Sequence, residues 1–137
     1  MQIPALRSRF ASSPVARLST VRPDGRTHVV PIVFAVVGDT VFSAVDAKPK
    51  RSTELQRLAN VRAEPRCAVL VDHYDDDWRR LWWVRADGHG EVIEVPPAGH
   101  PGIQALVQRF SQYRDEPPSG PLLVVTVHRW TGWMSTP

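Results

Sequence analysis

With 137 residues, 42% of them hydrophobic and 23% charged, the chain has the size and composition of one globular domain (1–137) with its own core, which excludes a disordered or low-complexity polymer. The net charge of +3 is spread among interspersed acids, which excludes a polycationic tail, and a single cysteine excludes an internal disulfide. No apolar run approaches the ~20 residues of a membrane-spanning helix, and the opening MQIPALRSRFASS has no signal-peptide core, so the expected location is the cytoplasm, away from membranes.

Ile3, Leu6 and Phe10 recur at helical spacing behind Pro4 and predict a short first helix. The segments VARLSTV (15–21), RTHVVPIVFAV (26–36) and TVFSAV (40–45), joined by RPDG and VGD, predict three tightly connected antiparallel strands. A helix is expected from about Ser52, with Leu55, Leu58 and Ala59 inward, Glu54 in its first turn and Pro65 closing the connection. CAVLVDH (67–73) reads as a strand, and LWWVRADGHGEVIEV (81–95) as one long strand or a bent pair. Two Pro-rich loops flank an amphipathic helix carrying Ile103, Leu106, Val107 and Phe110, and LLVVTVHRW (122–130) closes the chain as a last strand. Strands outnumber helices, so the expected class is mainly β, a small antiparallel barrel with helices at its edges.

The stretch VDAKPKRSTEL (45–55) holds both lysines, Lys48 and Lys50, while the other fifteen of the 17 basic residues are arginine. It leaves a strand, turns at Pro49 and enters the predicted helix. Free backbone N–H groups and the dipole at a helix start favour an anion, and Lys48, Lys50 and Arg51 add mobile and forked donors. A phosphate is the expected occupant; the competing reading of KPKR is a solvated loop beside Asp46 and Glu54.

The run from ARLSTVRPDGRTHVVPIVF through VDAKPK to DHYDDDWRRLWWVRADG resembles the split-barrel flavin-binding proteins of the pyridoxamine-phosphate-oxidase-like superfamily. Within them it is most similar to the actinobacterial branch dependent on the deazaflavin coenzyme F-420. The resemblance covers roughly residues 10 to 95, with a weaker match at the last strand. It implies a six-stranded antiparallel split β-barrel, a homodimer, and two equivalent cofactor sites in the dimer interface.

Carried onto this chain, the resemblance places the cofactor phosphate near Lys48, Lys50 and Arg51, with Arg57 further along the helix for the coenzyme's phosphodiester and carboxylate tail. It lays the ring along His28, Val30, Pro31, Ile32 and Val33, and offers Thr20 and Ser43 as donors to phosphate or ribityl hydroxyls. Pro31 cannot donate to a ladder, so it marks an edge or bulge that either leaves backbone groups free for a ligand or guards an edge strand. Oxidases that use flavin mononucleotide (FMN) on pyridoxamine phosphate carry a basic pair near the second strand. VVPIVFA has none, which places FMN second to the deazaflavin. The implied activity is hydride transfer between a deazaflavin and a small organic substrate, with His28, His73 and Tyr74 as candidate proton donors; the alternative is cofactor binding or storage without turnover.

In HYDDDWRRLWWVRADG, Asp75 to Asp77 read as a turn that pairs with Arg79 and Arg80 and fixes the loop bordering the site, with Trp78 expected among the cofactor-binding residues. Trp82 and Trp83 point to opposite faces of their strand, one into the barrel and one toward a partner subunit or planar ligand. Calcium is not expected, because the acidic run lacks alternating spacing and a loop glycine, and one Cys with five scattered His gives no zinc spacing. There is no nucleophile elbow and no phosphate-binding glycine loop, and Cys67 sits in an apolar strand where thiols are inert. A nucleic-acid-binding barrel using Arg and Trp is a remote third reading, weakened because acids interrupt every arginine cluster.

Overall fold

The computed structural model of the protein describes residues 2–45 and 55–135. In chain order it contains α1 (Ile3–Ala11), β1 (Ala16–Val21), β2 (Thr27–Ile32), β3 (Ala35–Val37), β4 (Thr40–Ala44), α2 (Gln56–Ala63) and β5 (Arg66–His73). A single 3-10 turn (Trp78–Arg80) then leads to β6 (Trp82–Ile93), α3 (Pro101–Arg109), α4 (Ser111–Asp115) and β7 (Leu122–Met134). The strands form one seven-stranded antiparallel sheet in the order β2-β1-β5-β6-β7-β4-β3. The mainly β class agrees with the sequence reading. Among the described residues, no helix is long and apolar enough to cross a membrane.

Seven strands stand where six were expected, because the segment 26–36 is broken in two. Ile32 still pairs with Ala16, and Ala35 pairs with Phe42, but Val33 and Phe34 between them belong to neither ladder. Phe34 is fully buried and the Val33 carbonyl accepts a hydrogen bond from Ser43 Oγ at 2.8 Å, so the break is held from both sides. Its consequence is global. β2 and β3 are the two ends of the sheet order, yet only two residues separate them in the chain, so the sheet curls until its ends adjoin. Among the described residues no ladder joins those ends, an arrangement consistent with a split barrel.

The inner face follows the alternation of the strands. Ala16, Leu18 and Thr20 of β1 point inward, and Leu18, Val69, Val71, Val84 and Ala86 build the central cluster. α1 supplies Leu6 and Phe10 to it, and α2 supplies Leu58 and Val61. α2 begins later than expected: Leu55 has extended dihedrals and the helix starts at Gln56, while Ser52 and Glu54 lie outside the described residues.

Part of the outer face is covered. α3 and α4, the latter not anticipated from sequence, pack Ile103, Leu106 and Tyr113 on Phe42, Leu122 and Val124. Among the described residues, the rest of that face, over β2, β1, β5, the start of β6 and the end of β7, carries no helix. Val29, Tyr74 and Trp133 are 61%, 58% and 44% exposed. Trp82 turns inward against the central cluster and Trp83 outward, as the strand alternation predicted.

β6 is one strand with an irregularity, not a bent pair. Asp87 pairs with Arg129 and Gly88 with Val127, so His128 is an extra residue on β7. A Cβ on Gly88 would lie 2.1 Å from the Thr126 carbonyl oxygen, a close approach that only glycine permits.

Candidate functional site

The break between β2 and β3 opens a cavity of about 190 Å³ lined by Pro31, Ile32, Val33, Ser43, Leu55, Arg57 and Tyr113, with Ala44 and Val45. Four separate stretches of chain converge there: the end of β2, the end of β4, the first turn of α2, and α4. Five of the predicted site residues are thus brought together: Pro31, Ile32, Val33, Ser43 and Arg57. Pro31 lies on an end strand of the sheet, where its missing N–H costs no ladder bond. Ser43 Oγ donates to the Val33 carbonyl and keeps its lone pairs for another donor.

Among the described residues, Arg57 is the cation that lines this cavity. Burial pulls its guanidinium below the ordinary arginine range, and among the described residues it has no acidic partner. A desolvated charge without a counter-ion is costly, and such groups mark places where an anionic ligand completes the balance. His28 lies within reach of its field. Burial first, then the charges of Arg22 and Arg57, hold the imidazole below its usual range, so it is neutral at pH 7. Its Nδ1 is buried and has no hydrogen-bond partner among the described residues.

The remaining predicted residues fall elsewhere. Thr20 is 1% exposed and accepts from Asn60 Nδ2 at 3.0 Å, a buried bond that ties α2 to β1, while Asn60 Oδ1 accepts from the exposed Gln56 Nε2 at 2.7 Å. Val30 packs against the central cluster. Trp78 is 77% exposed on the 3-10 turn, and neither it nor His73 lines the cavity. His73 Nε2 meets Asp75 Oδ2 at 2.8 Å, and Tyr74 lines a separate cavity of about 370 Å³ with Leu70, Asp72, Trp83 and Arg85 on the uncovered face. Lys48, Lys50 and Arg51 lie outside the described residues.

The acidic run behaves as its sequence suggested. Arg79 Nε donates to Asp77 Oδ1 at 2.9 Å, Arg80 lies 4.0 Å from Asp75, and the Asp77 N–H donates back to Asp75. The Arg79 guanidinium holds the Asp77 carboxyl below the usual carboxylate range. Cys67 is inert for the expected reason: burial, with the Asp87 charge behind it, pushes its thiol up to about 11.

Tyr113 is the site residue that sequence reasoning missed. It sits on α4, whose five residues are too few to show a helical period, and only the tertiary fold carries it to β2 and α2. A larger cavity, about 740 Å³, lies between α3 and the two Pro-rich loops, but its lining is mostly Val, Ile, Pro and Gln with Arg114 as its one charged side chain. It contains none of the site residues predicted from the sequence, so the smaller cavity is the candidate site.

A family model for pyridoxamine 5'-phosphate oxidase matches residues 3–134. No curated protein matches the chain. Among solved structures, a conserved hypothetical protein of Mycobacterium tuberculosis aligns with a TM-score of 0.76 and 22% identity, over 98% of this chain and 85% of the other. A FAD-binding protein of Mesorhizobium loti aligns with a TM-score of 0.71 and 19% identity, over 96% and 92%. A heme-binding protein of Mycobacterium smegmatis aligns with a TM-score of 0.70 and 16% identity, over 95% and 52%. At these identities the likeness is one of fold.

Proposed function

The chain belongs to the pyridoxamine 5'-phosphate oxidase family, and on that footing we propose that it binds a flavin-type cofactor, a deazaflavin in preference to FMN, and transfers hydride between it and a small organic molecule. The observation that carries this reading is Arg57: a desolvated cation without an acidic partner among the described residues, beside the Pro31–Val33 edge and Ser43. An anionic cofactor supplies the missing counter-charge.

The residues present fit such a group. Pro31, Ile32 and Val33 give an apolar edge for a planar ring, and Ser43 and Tyr113 add hydroxyls to the lining; His28, whose buried Nδ1 has no hydrogen-bond partner among the described residues, lies outside that lining. When bound, a reduced deazaflavin supplies hydride chemistry that no side chain here can perform. The protein's part is to bind, orient and exclude water. His28, neutral at pH 7, can accept a hydrogen bond at one ring nitrogen and donate from the other. Lys48, Lys50 and Arg51 are proposed to reach the phosphate.

A cavity of about 190 Å³ is smaller than the ~300–1,000 Å³ of ordinary ligand pockets, so one chain forms only part of a flavin-sized site. A second copy docked on the uncovered sheet face is proposed to complete it. Parallel fluorescence titrations with the deazaflavin coenzyme and FMN test the cofactor choice; tighter FMN binding overturns it.

Binding without turnover is the second reading, favoured by the names of two proteins of similar fold, one FAD-binding and one heme-binding. Reduced cofactor mixed with candidate acceptors separates the two, because a storage protein binds it without speeding its oxidation.

A further inference from the structure

We propose that His89 and His128 form a two-imidazole site for a divalent transition-metal ion of the zinc, nickel or copper class. The two residues are 39 apart in sequence, which is why the histidine spacing gave no hint of it. The structure brings His89 Nδ1 and His128 Nε2 into direct contact, with ring centroids 4.4 Å apart and planes tilted by 38°.

The β-bulge creates this encounter. A regular β6–β7 ladder would pair every residue in turn, but the register slips between Asp87 and Gly88 and His128 is left over. At the bulge His128 and Arg129 are both exposed in succession, and His128 meets His89 of the neighbouring strand. Both side chains are exposed, so neither ring is spent on core packing.

Two ring nitrogens aimed at one point share either a proton or a metal ion. Imidazole is a borderline ligand that suits zinc, nickel and copper, and Zn–N bonds of ~2.0–2.1 Å place the two nitrogens about 3.3 Å apart. Exposed rings reach that spacing by a small rotation of χ angles. Charges around the pair are largely balanced: Glu91 lies on the same face of β6 as His89, Asp87 is engaged by Arg85 at 3.1 Å with Arg129 opposite it in the ladder, and the nearby Arg66 is neutralised by Glu64 at 2.6 Å. Among the described residues no third His, Cys, Asp or Glu completes a set, so water fills the other positions. The site is a clip across β6 and β7 where their ladder is interrupted, independent of the proposed cofactor cavity.

Calorimetric titration of the full chain with zinc chloride in a non-chelating buffer tests the proposal. One ion per chain is expected, together with a rise in melting temperature, since an ion held by the native strands stabilises them by mass action. His89→Ala and His128→Ala should each weaken binding by about a hundredfold, because a single imidazole loses the advantage of two linked ligands. Both variants should melt like the unaltered protein without metal, as exposed positions do. His73→Ala and His100→Ala serve as controls and should bind zinc unchanged. Absence of saturable uptake, unchanged binding in His89→Ala, or loss of binding in a control variant overturns the assignment.

Discussion

In the proposed reading Arg57 and His28 serve a ligand at some cost to the empty fold. A partly desolvated guanidinium with no acid beside it among the described residues does not stabilise the protein, so Arg57→Met should leave ligand-free stability unchanged or raised. The same change removes a charge-assisted contact and should weaken deazaflavin binding by about 1.5–3 kcal/mol, read by fluorescence titration. A purely structural arginine would give the reverse pattern, lower melting temperature and intact affinity. For His28 the sign follows from its depressed folded-state pKa. Below pH 6.5 the unfolded chain takes up a proton that the folded chain refuses, so stability falls as pH drops through 6.5 and levels off below the folded value. Urea midpoints across pH 7.5, 6.5 and 5.5 should fall more steeply for the unaltered protein than for His28→Gln; parallel curves would remove His28 as their cause.

At the scale of elements, what could be read from sequence was set by how locally each one is determined. β1, β4 and the two hairpin turns were legible because alternation and the RPDG and VGD turns act over a few residues, and Gly25 and Gly38 do adopt positive φ. The break at Val33 and Phe34 was not, since VVPIVFAV is apolar throughout and only the Ser43 contact and the burial of Phe34 decide where β2 ends. The site inherits this division. Pro31 to Val33, Ser43 and Arg57 came from family resemblance, whereas Tyr113 depends on how α4 docks and leaves no local signal. The bulge at Asp87 and Gly88 is likewise tertiary. Gly88→Ala should cost about 3 kcal/mol in urea unfolding, because the new methyl meets backbone and not a movable side chain. Gly99→Ala, with open space around it, should cost nothing measurable; equal effects would show that the bulge tolerates a Cβ.

For the whole molecule, the uneven covering of the sheet is the decisive feature. α3 and α4 cover one part of the outer face, while the other presents Val29, Tyr74, Trp83 and Trp133 around the cavity that Arg85 and Asp72 line. Aromatic side chains with an arginine stacked on one of them, Arg85 over Trp83 at 5.6 Å, have the composition of a protein–protein interface. The proposed occupant is a second copy, and the small size of the proposed cofactor cavity calls for the same partner. Sedimentation at micromolar concentration should therefore give a dimer. Trp83→Asp combined with Trp133→Asp should give a monomer whose far-ultraviolet circular dichroism is unchanged, because both residues lie on the outer face and outside the central cluster. That monomer should also bind the deazaflavin less tightly, since each site would lose its second half. A monomeric unaltered protein removes the interface. A monomeric variant that keeps full affinity separates the interface from the site, and the cavity between β2, α2 and α4 would then have to hold the cofactor with one chain alone.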